Sequence, residues 1–256
     1  MEWHNNFVKL SDLYIYEFNV KKLEGEKVAT GIMNYLTSNS LKVQEVLDIP
    51  CGIGRISQYF LKLGIDVTGV DLSQPFLDEF RKTAENQNLS SPTLVNANFK
   101  NFLAHINIKK FDLILNWWTS FGYSSYTDDK EFFAKLLNVA HKDTILMVES
   151  WHKDFILNHK VSTSYKDLGK LIVVNENAFE EEGCKVSTTH KYYEKREKDL
   201  IFLNEFKSSI KLYSKEELIS LMQESGWRIL DYYNDIESRD PFNLAKDRIV
   251  LILKPL

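Results

Sequence analysis

The segment 46–73 carries the residues of this sequence that are best suited to hold a ligand. Two glycines, Gly52 and Gly54, follow an apolar run that ends near Asp48, and a second apolar run ends at Asp71. Glycine lets a backbone turn tightly and approach a ligand with no Cβ atom in the way. A carboxylate about 20 residues past such a turn is placed to accept hydrogen bonds from ribose hydroxyls. The spacing therefore favours a ligand that contains ribose.

The same turn lacks the features that bind phosphate chains. Ser57 breaks the G-x-G-x-x-G spacing, and the GK[ST] ending of a P-loop is absent. The sequence therefore gives little support for a pyrophosphate or triphosphate site.

Alternating strand-like and helix-like segments must position these residues. Apolar runs predict five strands, at 42–49, 65–72, 93–97, 111–118 and 144–150. Helices are expected at 24–38, at 54–64, after an N-cap at Ser73 and after an N-cap at Thr127. Such alternation is typical of a parallel sheet with helices on both faces, where ligands bind beyond the carboxyl ends of the strands. Polar residues and glycines recur at those ends: Asp48, Gly52, Gly54, Asp71, Asn98, Asn116 and Glu149.

The pattern changes near residue 165. Three β-rich segments with turn-like separators predict an antiparallel insertion at 165–213. Ser214 and Glu217 then form a capping box for a helix that ends at Gly226, and two final strands follow.

Length, composition and charge are those of an ordinary globular protein. The chain has 256 residues, of which 44% are hydrophobic and 27% charged, with a formal net charge of −4. This charge offers no electrostatic footprint for a long nucleic acid, so nucleic acid is not an expected partner. No apolar run long enough for a membrane span and no signal-peptide pattern are present, and Cys51 and Cys184 suit a reducing cytoplasm.

Three stretches together resemble a known family. They are DIPCGIGR (48–55), VTGVDLS (67–73) and FDLILNWWTSFGY (111–123). They look like class I S-adenosylmethionine-dependent methyltransferases, in particular the small-molecule subgroup with CGxGR and SFGY that includes sugar methyltransferases. The resemblance implies an α/β fold: a Rossmann-like, seven-stranded, doubly wound sheet with an antiparallel last strand, to which the β insertion after the fifth strand is added.

The resemblance implies S-adenosylmethionine as the cofactor, with no metal, and gives the motif residues their roles. Asp71 would bind the ribose diol, Leu72 would pack on adenine, and Asn98 would accept from the adenine amino group. Arg55 would reach the cofactor carboxylate or pair on the helix surface. The full set of expected cofactor-binding residues is Asp48, Cys51, Gly52, Gly54, Arg55, Asp71, Leu72, Asn98, Phe99 and Asn116.

The acceptor side of the site is less defined by the sequence. An oxygen acceptor needs a general base, and His152 after the fifth strand is the first candidate, followed by Tyr123. Each could equally be a surface or packing residue. Expected acceptor-binding residues are Tyr14, Tyr16, Trp118, Trp151 and His190.

The resemblance favours methyl transfer to an oxygen or nitrogen of a small polar metabolite, with a sugar or nucleotide sugar preferred. RNA or protein methylation, and a regulatory protein that binds the cofactor without turnover, stay as alternatives. We expect N-terminal lid helices and a cofactor-binding α/β core at 1–164 and the insertion at 165–213 as acceptor roof or homodimer interface. A C-terminal helix and two strands at 214–256 complete the sheet.

Overall fold

Helices and strands alternate along the chain. The structure is a computed structural model that describes residues 8–98, 100–106, 109–180, 182 and 184–256. Its helices are α1 Ser11–Val20, α2 Lys22–Ser38, α3 Ser57–Lys62, α4 Gln74–Asn86, α5 Tyr126–Leu136, α6 Lys153–His159 and α7 Lys215–Glu224. Its strands are β1 Glu45–Asp48, β2 Asp66–Asp71, β3 Thr93–Asn96, β4 Phe111–Asn116, β5 Ala140–Trp151, β6 Thr163–Asp167, β7 Leu171–Glu180, β8 Lys185–Arg196, β9 Asp199–Lys211, β10 Trp227–Tyr233 and β11 Arg248–Pro255.

Seven strands form a mixed central sheet in the order β10-β11-β5-β4-β1-β2-β3. Strands β1 to β5 pair in parallel, whereas β11 is antiparallel to both β5 and β10. This arrangement confirms the predicted α/β sheet with an antiparallel last strand. The carboxyl ends of β1, β2, β4 and β5 therefore meet at one edge of the sheet, where the predicted ligand residues also fall.

Apolar layers cover both faces of this sheet. Neighbouring residues on a strand point to opposite faces, so Val46 and Leu47 enter different core clusters, as do Ile114 and Leu115. All four side chains are fully buried. Burial on both faces explains why β1 and β4 are continuously apolar rather than alternating.

A second, four-stranded antiparallel sheet follows β5, in the order β6-β7-β8-β9. It has one strand more than the sequence predicts, because β6 at Thr163–Asp167 has a polar, half-exposed pattern. Helix α1 packs against this sheet through an apolar cluster that includes Tyr14, Leu168 and Phe206. The division of the chain into three functional parts stays a prediction.

Three helix starts test the capping predictions. Ser73 is the N-cap of α4, although its side chain makes no capping hydrogen bond. The Ser214–Glu217 capping box is confirmed at the start of α7. The predicted cap at Thr127 is wrong: Ser125 is the N-cap of α5, and its side chain accepts from the Asp128 backbone N–H. Within the described part of the chain, no helix is long and apolar enough to cross a membrane.

Candidate active site

A cavity of about 720 Å³ opens at the carboxyl edge of the central sheet. Its floor comes from the turn after β1 and from the ends of β2 and β4, and helix α1 closes one side. The largely buried face of the second sheet, which also contacts α1, forms the roof. Predicted site residues that line the cavity are Tyr14, Cys51, Gly52, Arg55, Asp71, Leu72, Asn98, Trp118, Tyr123, Trp151 and His190.

The glycine turn and Asp71 form one hydrogen-bonded unit in the cavity floor. Gly52 has a φ of +53°, and a Cβ atom placed there would meet no atom within 4 Å, so its backbone faces open space. Its N–H donates to Asp71 Oδ2 at 2.8 Å, and the Ser73 N–H donates to Asp71 Oδ1 at 2.8 Å. Asp71 therefore holds the turn while it faces the cavity.

Three of the predicted cofactor residues lie behind the turn rather than in the cavity wall. A Cβ atom on Gly54 would lie 2.5 Å from the Phe80 ring, so this glycine permits close packing of α4. Asp48 is buried and accepts a 2.6 Å hydrogen bond from the Ser57 hydroxyl. Asn116 Nδ2 donates to the Ile49 carbonyl at 2.7 Å. These residues shape the turn, and direct contact with a ligand is not supported for them.

Two buried carboxyl groups lie at the glycine turn, Asp71 in the cavity floor and Asp48 behind it, and the pKa of each is raised. Burial raises the pKa of Asp71 to about 6, although the Ser73 and Gly52 N–H groups oppose the shift. Burial also raises the pKa of Asp48 to about 7, and the nearby Asp71 adds to this rise. A ligand that donates hydrogen bonds or carries positive charge is favoured at such a floor.

Arg55 is held in the cavity wall between two aromatic rings. Its guanidinium carbon lies 3.7 Å from the Trp118 ring centroid and 4.8 Å from that of Phe18. Burial lowers its pKa to about 10, and the nearest carboxylate oxygen, from Glu24, is 3.9 Å from Nη1. Nη1 is buried and has no hydrogen-bond partner among the described residues. An anionic ligand group would satisfy it.

At the predicted adenine end of the site, the Asn98 side chain already accepts hydrogen bonds from its own loop. Asn98 lines the cavity, but its Oδ1 accepts from the backbone N–H groups of Lys100 at 2.9 Å and Asn101 at 3.1 Å. Its role as acceptor for an adenine amino group is therefore less direct than expected. Phe99, predicted to offer its backbone N–H, lies outside the described residues.

Alternate residues of β8 and β9 build the roof. Thr188, His190 and Tyr192 come from β8, and Phe206, Ser208 and Ile210 come from β9. The His190 and Phe206 rings stack at 4.4 Å with an interplanar angle of 15°. The roof therefore combines aromatic faces with hydroxyl groups.

His190 is a neutral, hydrogen-bonded part of this roof. Its Nδ1 lies 2.8 Å from Asn175 Oδ1, and its Nε2 lies 3.1 Å from Ser208 Oγ. An amide oxygen only accepts, so Nδ1 carries the proton and Nε2 accepts from the Ser208 hydroxyl. Burial, with a contribution from Lys166, lowers the His190 pKa to about 4.

A strained segment connects β4 to the cavity wall. Trp118 and Thr119 have φ values of +57° and +53°, in the region that disfavours residues with a Cβ atom. Thr119 Oγ1 accepts from Arg248 Nη1 and from the Trp151 N–H, both at 3.1 Å. Such strain clusters at functional sites, where surrounding contacts hold it in place.

Two predicted residues do not reach the cavity wall. His152, the first candidate base, is 0% exposed and packs against Phe242, and neither residue lines the cavity. Burial lowers its pKa, and Asp154 at 3.5 Å opposes that shift. Tyr16 donates instead to the Leu168 carbonyl at 2.9 Å, which ties α1 to the second sheet. Neither placement supports the predicted role.

Four charged residues of the cavity wall were missed: Glu17, Lys100, Lys166 and Arg248. Glu17 and Lys166 come from α1 and β6, and no local pattern marks them, because only the packing of α1 against the second sheet joins them. Arg248 begins β11. Since β11 is antiparallel, its start lies at the same edge as the ends of the parallel strands. The predicted antiparallel strand could therefore have been used to place Arg248 at the site.

Comparison with known proteins agrees with this geometry. Residues 46–143 match the family model described as a methyltransferase domain. The central sheet and the solved structures described next show that the chain has the methyltransferase fold, and the matched domain includes the glycine turn and Asp71.

Individual relatives match over different parts of the chain. The ubiquinone biosynthesis O-methyltransferase of Coxiella burnetii is 43% identical over 51 residues, which cover 20% of this chain and 22% of that protein. The match thus spans about a fifth of the length of this curated relative. An S-adenosylmethionine-dependent methyltransferase from Clostridium acetobutylicum aligns with a TM-score of 0.77 at 21% identity, covering 90% of this chain and 91% of that one. An amino pentose methyltransferase from Micromonospora echinaspora, solved with S-adenosylmethionine bound, aligns with a TM-score of 0.69 at 14% identity, covering 94% and 96%. At these identities the solved structures show a shared fold.

Proposed function

We propose that this protein transfers the methyl group of S-adenosylmethionine to a nitrogen atom of a small polar metabolite. The observation that carries the proposal is the cavity, in which the glycine turn, Asp71 and Arg55 face a roof of hydroxyl and aromatic side chains. Its volume of about 720 Å³ suits a cofactor and a small acceptor together. The amino pentose methyltransferase among the similar folds supports an amino-sugar-like acceptor.

The residues present fit the cofactor. Asp71 would accept hydrogen bonds from the ribose diol, and the unsatisfied Arg55 Nη1 would meet the methionine carboxylate. When bound, S-adenosylmethionine supplies a methyl group on a sulfonium, which a nucleophile attacks in line with the breaking C–S bond. The chain contributes alignment, exclusion of water and the hydrogen-bond acceptor Asp71 in the floor. Among the described residues no cluster of three or more metal-ligating side chains occurs, and metal independence stays a prediction.

The titratable groups of the wall favour nitrogen over oxygen. An oxygen acceptor needs a base, whereas an amine only has to be neutral. Burial raises the Tyr123 pKa to about 12, so this phenol stays protonated near neutrality. Both His190 nitrogens are hydrogen-bonded, Glu17 is bound by Lys166 at 2.9 Å, and Asp71 is committed to the turn. None of these groups is poised to deprotonate a hydroxyl.

Methyl-labelled S-adenosylmethionine tests this proposal. The protein is incubated with the label and a host-cell extract, and the extract is then separated into metabolites, RNA and protein. We expect label on an amine in the metabolite fraction and a loss of transfer with Asp71→Ala. Label on RNA or protein would support those alternatives instead, and label on a hydroxyl would exclude the nitrogen assignment.

The catalytic and non-catalytic alternatives are separated by a binding measurement. Titration with S-adenosylhomocysteine should show saturable binding that weakens with Asp71→Ala, because the carboxylate would lose its bonds to the ribose. Binding without transfer to any fraction would favour a regulatory protein that uses the cofactor as a signal.

Three finer assignments also stay proposals. Membership of the CGxGR and SFGY subgroup rests on the three sequence stretches, and a cytoplasmic location rests on cysteine usage. The homodimer is supported by strand β9, an edge strand whose apolar side chains at 200–203 are exposed. Edge strands of this kind are templates for pairing with another chain.

A further inference from the structure

The cations that line the cavity are all matched by carboxylates. Among the residues that the structure describes, four lysine and arginine side chains line the wall, and each has an acidic partner. The pairs are Lys166–Glu17 at 2.9 Å, Lys100–Asp128 at 2.9 Å, Arg248–Glu149 at 2.8 Å and Arg55–Glu24 at 3.9 Å. The buried Asp71 adds a carboxyl group that no cation matches. The wall is therefore not electropositive.

The Glu17–Lys166 pair joins α1 to the second sheet at the cavity wall. Glu17 is buried, and Lys21 and the Tyr192 hydroxyl also contact its carboxylate, at 3.4 Å and 3.3 Å. Burial alone would raise the Glu17 pKa, but the Lys166 and Lys21 ammonium groups lower it on balance. Glu17 is therefore ionised near neutral pH and neutralises Lys166.

The roof offers neutral hydrogen-bonding groups rather than charges. The proton of the Ser208 hydroxyl points to His190 Nε2, so the Ser208 oxygen is left as an acceptor at the cavity. The Thr188 hydroxyl donates to Asn177 Oδ1 at 2.7 Å, so the Thr188 oxygen is also left as an acceptor. Beside them, the stacked His190 and Phe206 rings present a flat apolar surface. Ligand hydroxyl and amino groups can donate to such oxygens, and the face of a saturated ring can pack on the aromatic pair.

With Arg55 occupied by the cofactor carboxylate, a diphosphate would meet only cations of the described wall that already have a carboxylate partner. Phosphate sites use arginine forks, lysines or helix N-termini that are available to the anion. To bind Lys166 or Arg248, a diphosphate would have to displace Glu17 or Glu149. The displaced carboxylate would then lie next to the negative diphosphate without a cation to neutralise it. The cost of such an exchange is greatest at the buried positions.

We infer that the acceptor is an unphosphorylated, polyhydroxylated amine, such as an amino sugar that is free or joined to a neutral aglycone. This inference rests on the proposed function and refines it. Of the two acceptors that the sequence analysis preferred, a sugar and a nucleotide sugar, this inference excludes the nucleotide sugar.

Pyrophosphate is the probe that tests the charge argument directly. It is titrated by calorimetry, at low ionic strength, into protein saturated with S-adenosylhomocysteine, so that Arg55 and the cofactor end are occupied. We expect the wild-type protein to bind pyrophosphate at least about tenfold more weakly than Glu17→Gln or Glu149→Gln, because each variant removes one carboxylate beside a cation. Glu26→Gln is the matched control: it changes the net charge equally on the exposed face of α2, away from the cavity.

Each outcome decides the inference. Wild-type affinity equal to that of the two variants, or equal gains in Glu26→Gln, would overturn it. Asp128→Asn, at the exposed Lys100 pair, repeats the test where a buried variant fails to fold. The measurement involves no methyl transfer, so failure of the labelling experiment would remove the proposed function without changing this result, and tight pyrophosphate binding would remove the inference without changing the function.

Discussion

Two carboxyl side chains, Asp48 and Asp71, set the electrostatics of the glycine turn. Both are buried, and the pKa of each is raised, to about 7 and about 6. They have different tasks, because only Asp71 lines the cavity, whereas Asp48 anchors the start of α3 through Ser57. The sequence marks both as strand-end acids and cannot tell which one faces the ligand.

Asp48 should make the folded protein less stable as the pH rises. A carboxyl whose pKa is raised by folding stabilises the folded state fully below its unfolded pKa, near 4, and that contribution is lost as the pH rises towards 7. Asp48→Asn keeps the shape and the acceptor for Ser57 but cannot ionise. We expect the variant to gain up to ~4 kcal/mol over the wild type above pH 7, and the gain to vanish near pH 4. Urea unfolding across this range measures the difference, and a constant difference at every pH would contradict the assignment.

His152 and Tyr123 should respond differently to substitution. Tyr123→Phe removes a protonated phenol from the cavity wall and should lower kcat/KM for the labelled acceptor by about tenfold, the effect of one lost hydrogen bond. His152→Gln changes a residue outside the wall, so kcat/KM and its pH profile should stay at the wild-type values. A large loss of kcat in His152→Gln at unchanged cofactor affinity would show that His152 takes part in the reaction after all.

Helix α1 is the element on which closure of the cavity depends. It contributes Tyr14 and Glu17 to the wall, yet its backbone joins neither sheet. Side-chain contacts hold it: the Tyr16 hydroxyl bonds the Leu168 carbonyl and accepts from the Lys170 N–H, and Tyr14 packs against Tyr192 and Phe206. Local opening of such an element has a low free energy.

Tyr16→Phe should loosen α1 without unfolding the core. Loss of the two hydrogen bonds costs about 1 kcal/mol, which raises the population of the open state roughly fivefold. Hydrogen exchange of the α1 amides should accelerate by that factor, while exchange in β1 and β4 stays unchanged. Tyr165→Phe, at an exposed position of β6, is the control. Equal α1 exchange in both variants would mean that apolar packing alone holds the helix.

Elements of the central sheet were predictable because local pattern and burial coincide there. The five parallel strands are apolar runs bounded by turn residues, and each occurs near its predicted position. The bounds of helix α1 were not predicted, because its apolar residues do not form a single stripe along one face. Strand β6 was missed because it is short and polar. The cap at Thr127 was misplaced by two residues because Ser125 and Thr127 both precede acidic residues.

At the scale of the whole molecule, the site is assembled from segments that are distant in the chain. Its wall takes residues from α1, the β1 turn, the β4 exit, the second sheet and the start of β11. Motifs identified the floor, because the glycine turn and Asp71 lie within one β-α-β unit. They could not identify the Glu17–Lys166 pair, which depends on how the second sheet packs against α1, or the burial of His152, which depends on its packing against Phe242.

The same second sheet leads to the last prediction, which concerns assembly. At its edge, residues 200–203 of β9 carry Leu, Ile, Phe and Leu side chains that are 40% to 53% exposed. Alternate residues of a strand point to opposite faces, so residues 200–203, which we call the β9 arm, are apolar on both faces. Such a patch is unfavourable in water and is typical of a contact surface.

Phe202→Lys should therefore weaken a homodimer formed through this arm. Removing one buried phenylalanine from each protomer costs roughly 2 kcal/mol per site, so the dissociation constant should rise by at least about tenfold. Sedimentation velocity over a concentration series measures this change. Leu23→Lys makes the same kind of replacement at an exposed position of α2 and should leave the dimer intact. A wild-type protein that stays monomeric throughout would rule out the dimer, whereas equal weakening in both variants would place the contact elsewhere or assign it to net charge.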